Sequence, residues 1–350
     1  MIQESLKEYD YLFIVYAPQI KNWSAGNKAL HLICRELNKI GLNAWIAIHG
    51  PINRAEPLTL EDLQNKVLIK NNAKNFEQRY KISIGIYPET IKGNPLNTDI
   101  SVAWILNYAG LLGHKYDAVK KQFVWAYSQQ ISADIQEQFG IKVPTLFLPV
   151  INLDELRLVR KTYVERTTNK VLYCQKFRAL GGIPSSDHKE YIEIHRFGKR
   201  AQNREDFLRI LRTSSELVAY ENTTAILESQ LLGTPIRCVS NKWFDELIAI
   251  SELPQIGITW DIESQNQITD ENIYEIESKI QNLFLVFQQK LRHEVNILLN
   301  EIYVMKKNKI RIPSHRIISR HSVNRFIGLF LKRDFIALIR FGFAYIKRNI

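Results

Sequence analysis

Short apolar runs separated by stretches of helical spacing recur along most of the chain. Tyr11–Ala17 (YLFIVYA) predicts a buried first strand, and Lys28–Ile40 places Leu30, Ile33, Cys34 and Leu37 at helical spacing. Gly41 stops that helix, and Ala44–Ile48 predicts a second strand ending at His49-Gly50. Further strands are expected at Tyr80–Tyr87, Val102–Leu106, Phe123–Tyr127, Lys170–Cys174, Tyr191–Phe197, Leu217–Tyr220 and Ile236–Ser240. Helices are expected at Arg204–Arg212, capped by Asn203, at Thr224–Leu232, and as two long helices within Glu271–Val304. Strand–helix–strand alternation of this kind predicts parallel sheets covered by helices.

The most informative stretch is Leu217–Asn241. A strand runs into the polar turn Glu221–Thr223, then a helix, then a Gly-Thr-Pro stop and another strand. Asn222, Thr223 and Thr224 surround a helix N-terminus, where unpaired N–H groups and the dipole favour a phosphate. Glu228 lies one turn further along the same face, within reach of a ribose hydroxyl of the same nucleotide. The plain alternative is an ordinary N-cap followed by a solvated glutamate.

The order Tyr220-Glu221, Ala225-Ile226-Leu227-Glu228-Ser229 and Gly233-Thr234-Pro235 resembles the donor segment of GT-B glycosyltransferases, especially those of bacterial capsule and O-antigen clusters. Ser24-Ala25-Gly26-Asn27 resembles the first glycine-containing loop of the same group, and YPETIKGNPLN, WILNYAGLLG and Tyr127-Ser128 follow in the same order. The resemblance covers most of residues 10–240. It implies an α/β GT-B fold: two Rossmann-like domains facing a cleft, C-terminal helices, and here a basic amphipathic tail. The expected divisions are 1–155 (acceptor side), 156–265 (nucleotide-sugar binding), 266–307 (crossing helices) and 308–350 (the tail), with a hinge after Val143–Val150.

The resemblance assigns Glu228 to the donor ribose and the preceding turn to the diphosphate and sugar. Lys176 and Arg178, after the strand Lys170–Cys174, are candidates against the diphosphate. Ser24 and Gly26 are candidates beneath the cleft, where small residues let substrate approach the backbone. One residue fewer separates Glu221 from Glu228 than in the retaining families, so the role of Glu221 does not follow from the motif. If the reaction inverts the sugar, a base is required, with Glu89 first and Asp99 or His49 behind it. If it retains, no such base is needed and Glu221 contacts the donor sugar; the imperfect glutamate pair leans this way. Asn94 and Glu89 fall beyond a strand's carboxyl end, where ligands of open α/β sheets bind. His195 is expected to be structural.

Composition narrows the class. The chain has 350 residues, 45% hydrophobic and 24% charged, enough for two ordinary domains. Cys34, Cys174 and Cys238 are far apart and form no CxxC, which indicates neither a disulfide framework nor a zinc site. No DxD triplet follows an apolar strand, and the GT-B resemblance implies no metal and no cofactor. The opening MIQESLKEYD has no apolar core, so no signal peptide is expected, and no run is long enough to span a membrane.

The net charge of +11 is concentrated at one end. Met305–Ile350 carries twelve Lys and Arg against the single acid Asp334, leaving the rest of the chain balanced. On a helical wheel, Ile327, Leu331, Phe335, Leu338, Ile339, Tyr345 and Ile346 share an uncharged arc opposite Lys332, Arg333, Arg340, Lys347 and Arg348. This reads as an interfacial helix for an anionic membrane surface, with packing on protein as the alternative. A nucleic-acid partner is not expected, because the body is uncharged overall and carries no recognition motif. The expectation is therefore a cytoplasmic enzyme, peripheral on the inner face of the cytoplasmic membrane, moving sugar from a nucleotide-sugar to a glycan or lipid-linked glycan. The alternative is a non-catalytic GT-B-like scaffold in a membrane-bound polysaccharide assembly.

Overall fold

The computed structural model describes residues 11–68, 82–108, 121–162, 165–263 and 267–307. The amphipathic tail at 308–350 and part of the WILNYAGLLG motif lie outside them. The chain divides into two units: unit 1 runs to Val150 and resumes at Asn282, and unit 2 begins with Ile151–Gln281.

Unit 1 is built on β1 (Tyr11–Pro18), β2 (Ala44–His49), β3 (Val67–Leu68), β4 (Ile82–Pro88), β5 (Ile100–Ile105) and β6 (Phe123–Ala126). They form one parallel sheet in the order β3-β2-β1-β4-β5-β6. This is the doubly wound Rossmann order, with its topological switch between β1 and β4. Helix α1 (Ala25–Lys39) lays Ala29, Leu30, Ile33, Cys34 and Leu37 onto the sheet's Phe13, Val15, Ile46 and Ile84. Helix α2 (Gln129–Phe139) follows β6 and buries Ile131, Ile135 and Phe139.

Unit 2 begins with α3 (Leu153–Lys161), followed by β7 (Lys170–Tyr173), α4 (Gln175–Ala179), β8 (Ile192–Glu193), α5 (Arg204–Thr213), β9 (Glu216–Ala219), α6 (Thr224–Leu231), β10 (Ile236–Cys238) and β11 (Ile258–Trp260). Its sheet is also parallel, ordered β11-β10-β9-β7-β8. Here the switch falls between β7 and β9. The strand expected over Tyr191–Phe197 shrinks to two residues. Ile194 N–H still donates to Leu172 O at 3.0 Å, but the donors beyond it are taken by side chains: His195 N–H by Gln202 Oε1 and Arg196 N–H by Gln175 Oε1, both at 2.7 Å.

The two helices expected near the C-terminus are one, α7 (Asp270–Lys307), 38 residues long. No Gly or Pro interrupts the sequence there, so nothing ends the first helix. Its early turns belong to unit 2, where Ile273, Ile276 and Ile280 are buried. Its later turns belong to unit 1, where Phe287, Leu291, Val295, Leu298, Leu299 and Ile302 join the core that α1 covers. Among the described residues, no helix is long and apolar enough to cross a membrane.

Candidate functional site

In unit 2, Lys176 follows β7 and Glu221–Thr223 follows β9, so both sides of the switch point contribute. Thr223 is the N-cap of α6: its backbone is extended and its hydroxyl accepts from Ala225 N–H at 3.2 Å. Thr224 opens the helix. Asn222 does not cap; its amide binds Glu246 O at 3.1 Å and Ile248 N–H at 2.9 Å, pinning that loop. Its carbonyl accepts from Lys176 Nζ at 3.3 Å, which draws the ammonium to the turn before α6.

Glu221 is 6% exposed. One carboxyl oxygen accepts from Phe177 N–H at 2.8 Å, and the other is enclosed without a partner. Burial raises its pKa, against the pull of nearby Lys176. Glu228 lies within α6, its side chain 4% exposed, with one oxygen bound by Arg196 and the other by Arg204 at 2.8 Å. Arg204 also grips Glu155 of α3 through two bonds of 3.0 and 2.7 Å. Tyr173, at the end of β7, is buried at 3% exposure in the same unit. Its phenol pKa is raised, chiefly by burial.

Arg178 does not join this group. Its guanidinium binds both oxygens of Glu193 at 3.1 Å, which holds its pKa up and occupies it. Sequence reasoning missed Tyr173, Arg196 and Arg204. Arg204 reads as an ordinary first helical residue after Asn203, and Arg196 as part of a strand; only folding brings both to Glu228.

In unit 1, Ser24 caps α1, accepting from Asn27 N–H at 3.3 Å. The buried Asn27 amide binds Pro18 O, Gln19 O and Lys21 N–H, and so fixes the loop after β1. Gly26 lies inside the first turn of α1; a Cβ there would meet only Leu106 Cδ1 at 3.8 Å, so packing does not demand glycine. Across the switch point, Glu89 follows β4 and is 4% exposed. One of its oxygens accepts from Leu106 N–H at 3.0 Å, and burial pushes its pKa up to about 7. His49, at the end of β2, stacks on Tyr16 with ring centroids 4.4 Å apart. Its Nε2 is enclosed without a partner, and burial lowers its pKa.

Asp99 is a correction. It precedes β5 and accepts from Ser83 N–H and Oγ at the start of β4, at 2.8 and 2.9 Å. In a parallel sheet this is the amino edge, a strand's length from Glu89 at the carboxyl end, so Asp99 is no acceptor-side base. Asn94 is occupied too: its amide binds Tyr87 Oη and the backbone and hydroxyl of Thr98, holding the connection between β4 and β5. Among the described residues, no cluster of three His, Cys, Asp or Glu could hold a metal ion.

No family model matches the chain, and no curated protein matches it in sequence. Solved structures similar to it include the spinosyn forosaminyltransferase SpnP, at 12% identity over 82% of this chain and 94% of that one, TM-score 0.37. A UDP-glucosyltransferase from Polygonum tinctorium is similar at 9% identity, over 83% and 99%, TM-score 0.42. The N-terminal domain of a Candida albicans trehalose-6-phosphate phosphatase is similar at 9%, over 82% and 96%, TM-score 0.46. Likeness at this level assigns no residue its role. The elements themselves define the class: two Rossmann-like parallel α/β units followed by a C-terminal helix, the make-up of a GT-B fold.

Proposed function

We propose that this protein is a metal-independent glycosyltransferase, moving a sugar from a nucleotide-sugar donor to a surface glycan carried on a lipid. The observation that supports it most is in unit 2, where Lys176, Glu221, Thr223 and Glu228 gather at the switch point of a parallel sheet. Ligands of such sheets bind beyond the strands' carboxyl ends, and a helix N-terminus with an adjacent ammonium suits a diphosphate. As the glycosidic bond breaks, negative charge grows on the leaving diphosphate, and preorganised N–H groups and cations stabilise it without a metal.

Glu89 supports the inverting form of the reaction over the retaining form. A carboxyl with a pKa about 7 is ionised for part of the time near neutrality and still basic enough to take a proton. The acceptor hydroxyl oxygen would bond to the anomeric carbon and pass its proton to Glu89. The bond to the diphosphate would break with its electron pair leaving on oxygen. The cationic amphipathic sequence at 308–350 supports work at the inner face of the cytoplasmic membrane.

The test is a thermal-shift panel of UDP, GDP, CMP, TDP and UDP-sugars on the wild type and Glu228→Ala. A nucleotide that stabilises the wild type and not the variant supports the enzyme and identifies its nucleotide class. No shift with any nucleotide, with or without anionic vesicles, would overturn the enzyme reading in favour of a non-catalytic scaffold.

A further inference from the structure

We infer that His188 is a positioning residue for the turn at residues 220–223: neutral, it accepts a hydrogen bond from Tyr220 and holds the turn, and protonated, it releases it. The inference rests on the reading of unit 2 as a nucleotide-sugar site and deepens it, because donor affinity then depends on pH.

Tyr220 stands between β9 and Glu221. Its N–H donates to Tyr173 O and its carbonyl accepts from Asn241 Nδ2, both at 3.0 Å, which ties it to the ends of β7 and β10. Its side chain meets the segment between α4 and β8. There Tyr220 Oη accepts from Ser185 N–H at 3.0 Å and lies 2.8 Å from His188 Nδ1. A phenol has one hydrogen to give, and with Ser185 N–H already on its oxygen that hydrogen goes to Nδ1. Nδ1 is then an acceptor, and the imidazole is neutral.

The same contacts reach Glu221. The Phe177 ring lies 4.8 Å from the Tyr220 ring, and Phe177 N–H donates to the Glu221 carboxylate at 2.8 Å. Gly182 lets the segment close on that ring, since a Cβ there would come within 2.5 Å of it. A shift of Tyr220 therefore disturbs Phe177, Glu221 and the turn together. Protonation of His188 would cause one: Nδ1 gains a hydrogen and faces a hydroxyl that has lost the acceptor for its own.

The surroundings keep His188 neutral near pH 7. The residue is 8% exposed and its ring stacks on Tyr191 with centroids 4.8 Å apart. Burial chiefly holds its pKa below the usual 6.5; Arg237 of β10 and Lys170 of β7 act the same way, against Asp187 and Glu216 of β9. Glu216 is already paired with Arg237 at 2.9 Å and with Lys170 at 3.7 Å. Donor affinity should thus be complete near neutrality and fall as the medium becomes acidic.

The experiment measures calorimetric affinities for UDP-glucose, GDP-mannose and TDP-glucose, whose phosphates do not titrate in this range, at about pH 8 and about pH 5. It uses the full chain as wild type, His188→Asn, His188→Leu, Tyr220→Phe and the His188→Leu/Tyr220→Phe double variant, each checked for folding by circular dichroism at both pH values. The wild type is expected to lose about 3- to 10-fold in affinity for its donor at the lower pH. His188→Asn puts an amide oxygen in place of Nδ1 that takes up no proton, so it should keep the wild-type affinity at pH 8 within about twofold and stay flat. His188→Leu and Tyr220→Phe should be weak at both pH values, and the double variant no weaker than either single one. Should the leucine variants not fold, His188→Asn and Tyr220→Phe decide by their pH profiles. A wild type with pH-independent affinity, a His188→Asn variant that keeps the pH dependence, or a folded double variant whose losses add in full would overturn the inference. A wild type that binds none of the three donors at either pH would instead overturn the functional reading, and the inference with it.

Discussion

Glu89 and His31 are both buried in unit 1, and burial moves them in opposite directions. Glu89 rises from 4.5 to about 7, so its contribution to stability is complete below pH 4.5 and is lost as pH rises through 7. His31 falls from 6.5 to about 4, so its contribution is complete above pH 6.5 and is lost as pH falls towards 4. His31 is held neutral between Thr59 Oγ1 at 2.6 Å and Pro18 O at 2.9 Å, where burial makes a charged ring costly. Glu89→Gln removes the buried charge that wild type carries at high pH. It should therefore stabilise the protein at pH 8 relative to pH 5, by on the order of 2–3 kcal/mol in urea unfolding. If Glu89 is the base, kcat/KM should also climb through pH 7 in wild type, and the glutamine variant should lose transfer at every pH. At this scale Glu89 was legible because it follows an apolar strand. Asp99 follows a turn instead, and only strand register sends it to the amino edge.

Elements hold the candidate residues in place through close approaches that single substitutions can probe. Tyr87 folds back over Gly85, where a Cβ would come within 2.5 Å of the Tyr87 hydroxyl and 2.6 Å of Thr98 Oγ1. Gly85→Ala should cost about 1–3 kcal/mol in urea unfolding, because the ring that carries the Asn94 and Thr98 bonds must move. At the end of α6, Gly233 has φ +75°, and Arg160, Arg166 and Arg212 cap the carbonyls of Leu231 and Leu232. Gly233→Ala should destabilise by about 1–2 kcal/mol, a penalty of the left-handed backbone that tests as a lowered Tm. The Gly-Thr-Pro stop and the helix before it were legible because local chemistry decides both. The short β8 was not, since Gln175 and Gln202 end it from positions that no alternation of apolar and polar residues reveals. The ion pairs around Glu228 were hidden for a related reason: Glu155 comes from α3, Arg204 from α5 and Arg196 from the loop between β8 and α5.

At the scale of the whole molecule, α7 makes unit 1 depend on residues far along the chain. Phe287, Leu291, Val295, Leu298 and Ile302 recur at helical spacing and fill a core they share with the sheet, α1, Leu63, Leu146 and Leu148. Gln288 adds a 2.9 Å bond to the carboxylate of Glu36, which lies on α1 and is 3% exposed. Burying each large apolar side chain contributes about 1.5–3 kcal/mol, so this half of the helix is a structural layer of unit 1. Sequence spacing located these apolar positions but not the sheet they cover, because a helical stripe specifies a buried face without specifying its partner. Leu291→Ala and Leu298→Ala, at 0% and 1% exposure, should each cost about 2–5 kcal/mol. The loss should appear first in unit 1, as faster hydrogen exchange in β1 and β4, while β7 and β9 stay protected. Tyr274→Ser, on the same helix but 75% exposed, should change neither. Equal loss of protection in both sheets would mean that the two units unfold as one cooperative body, and that α7 stabilises the molecule as a whole.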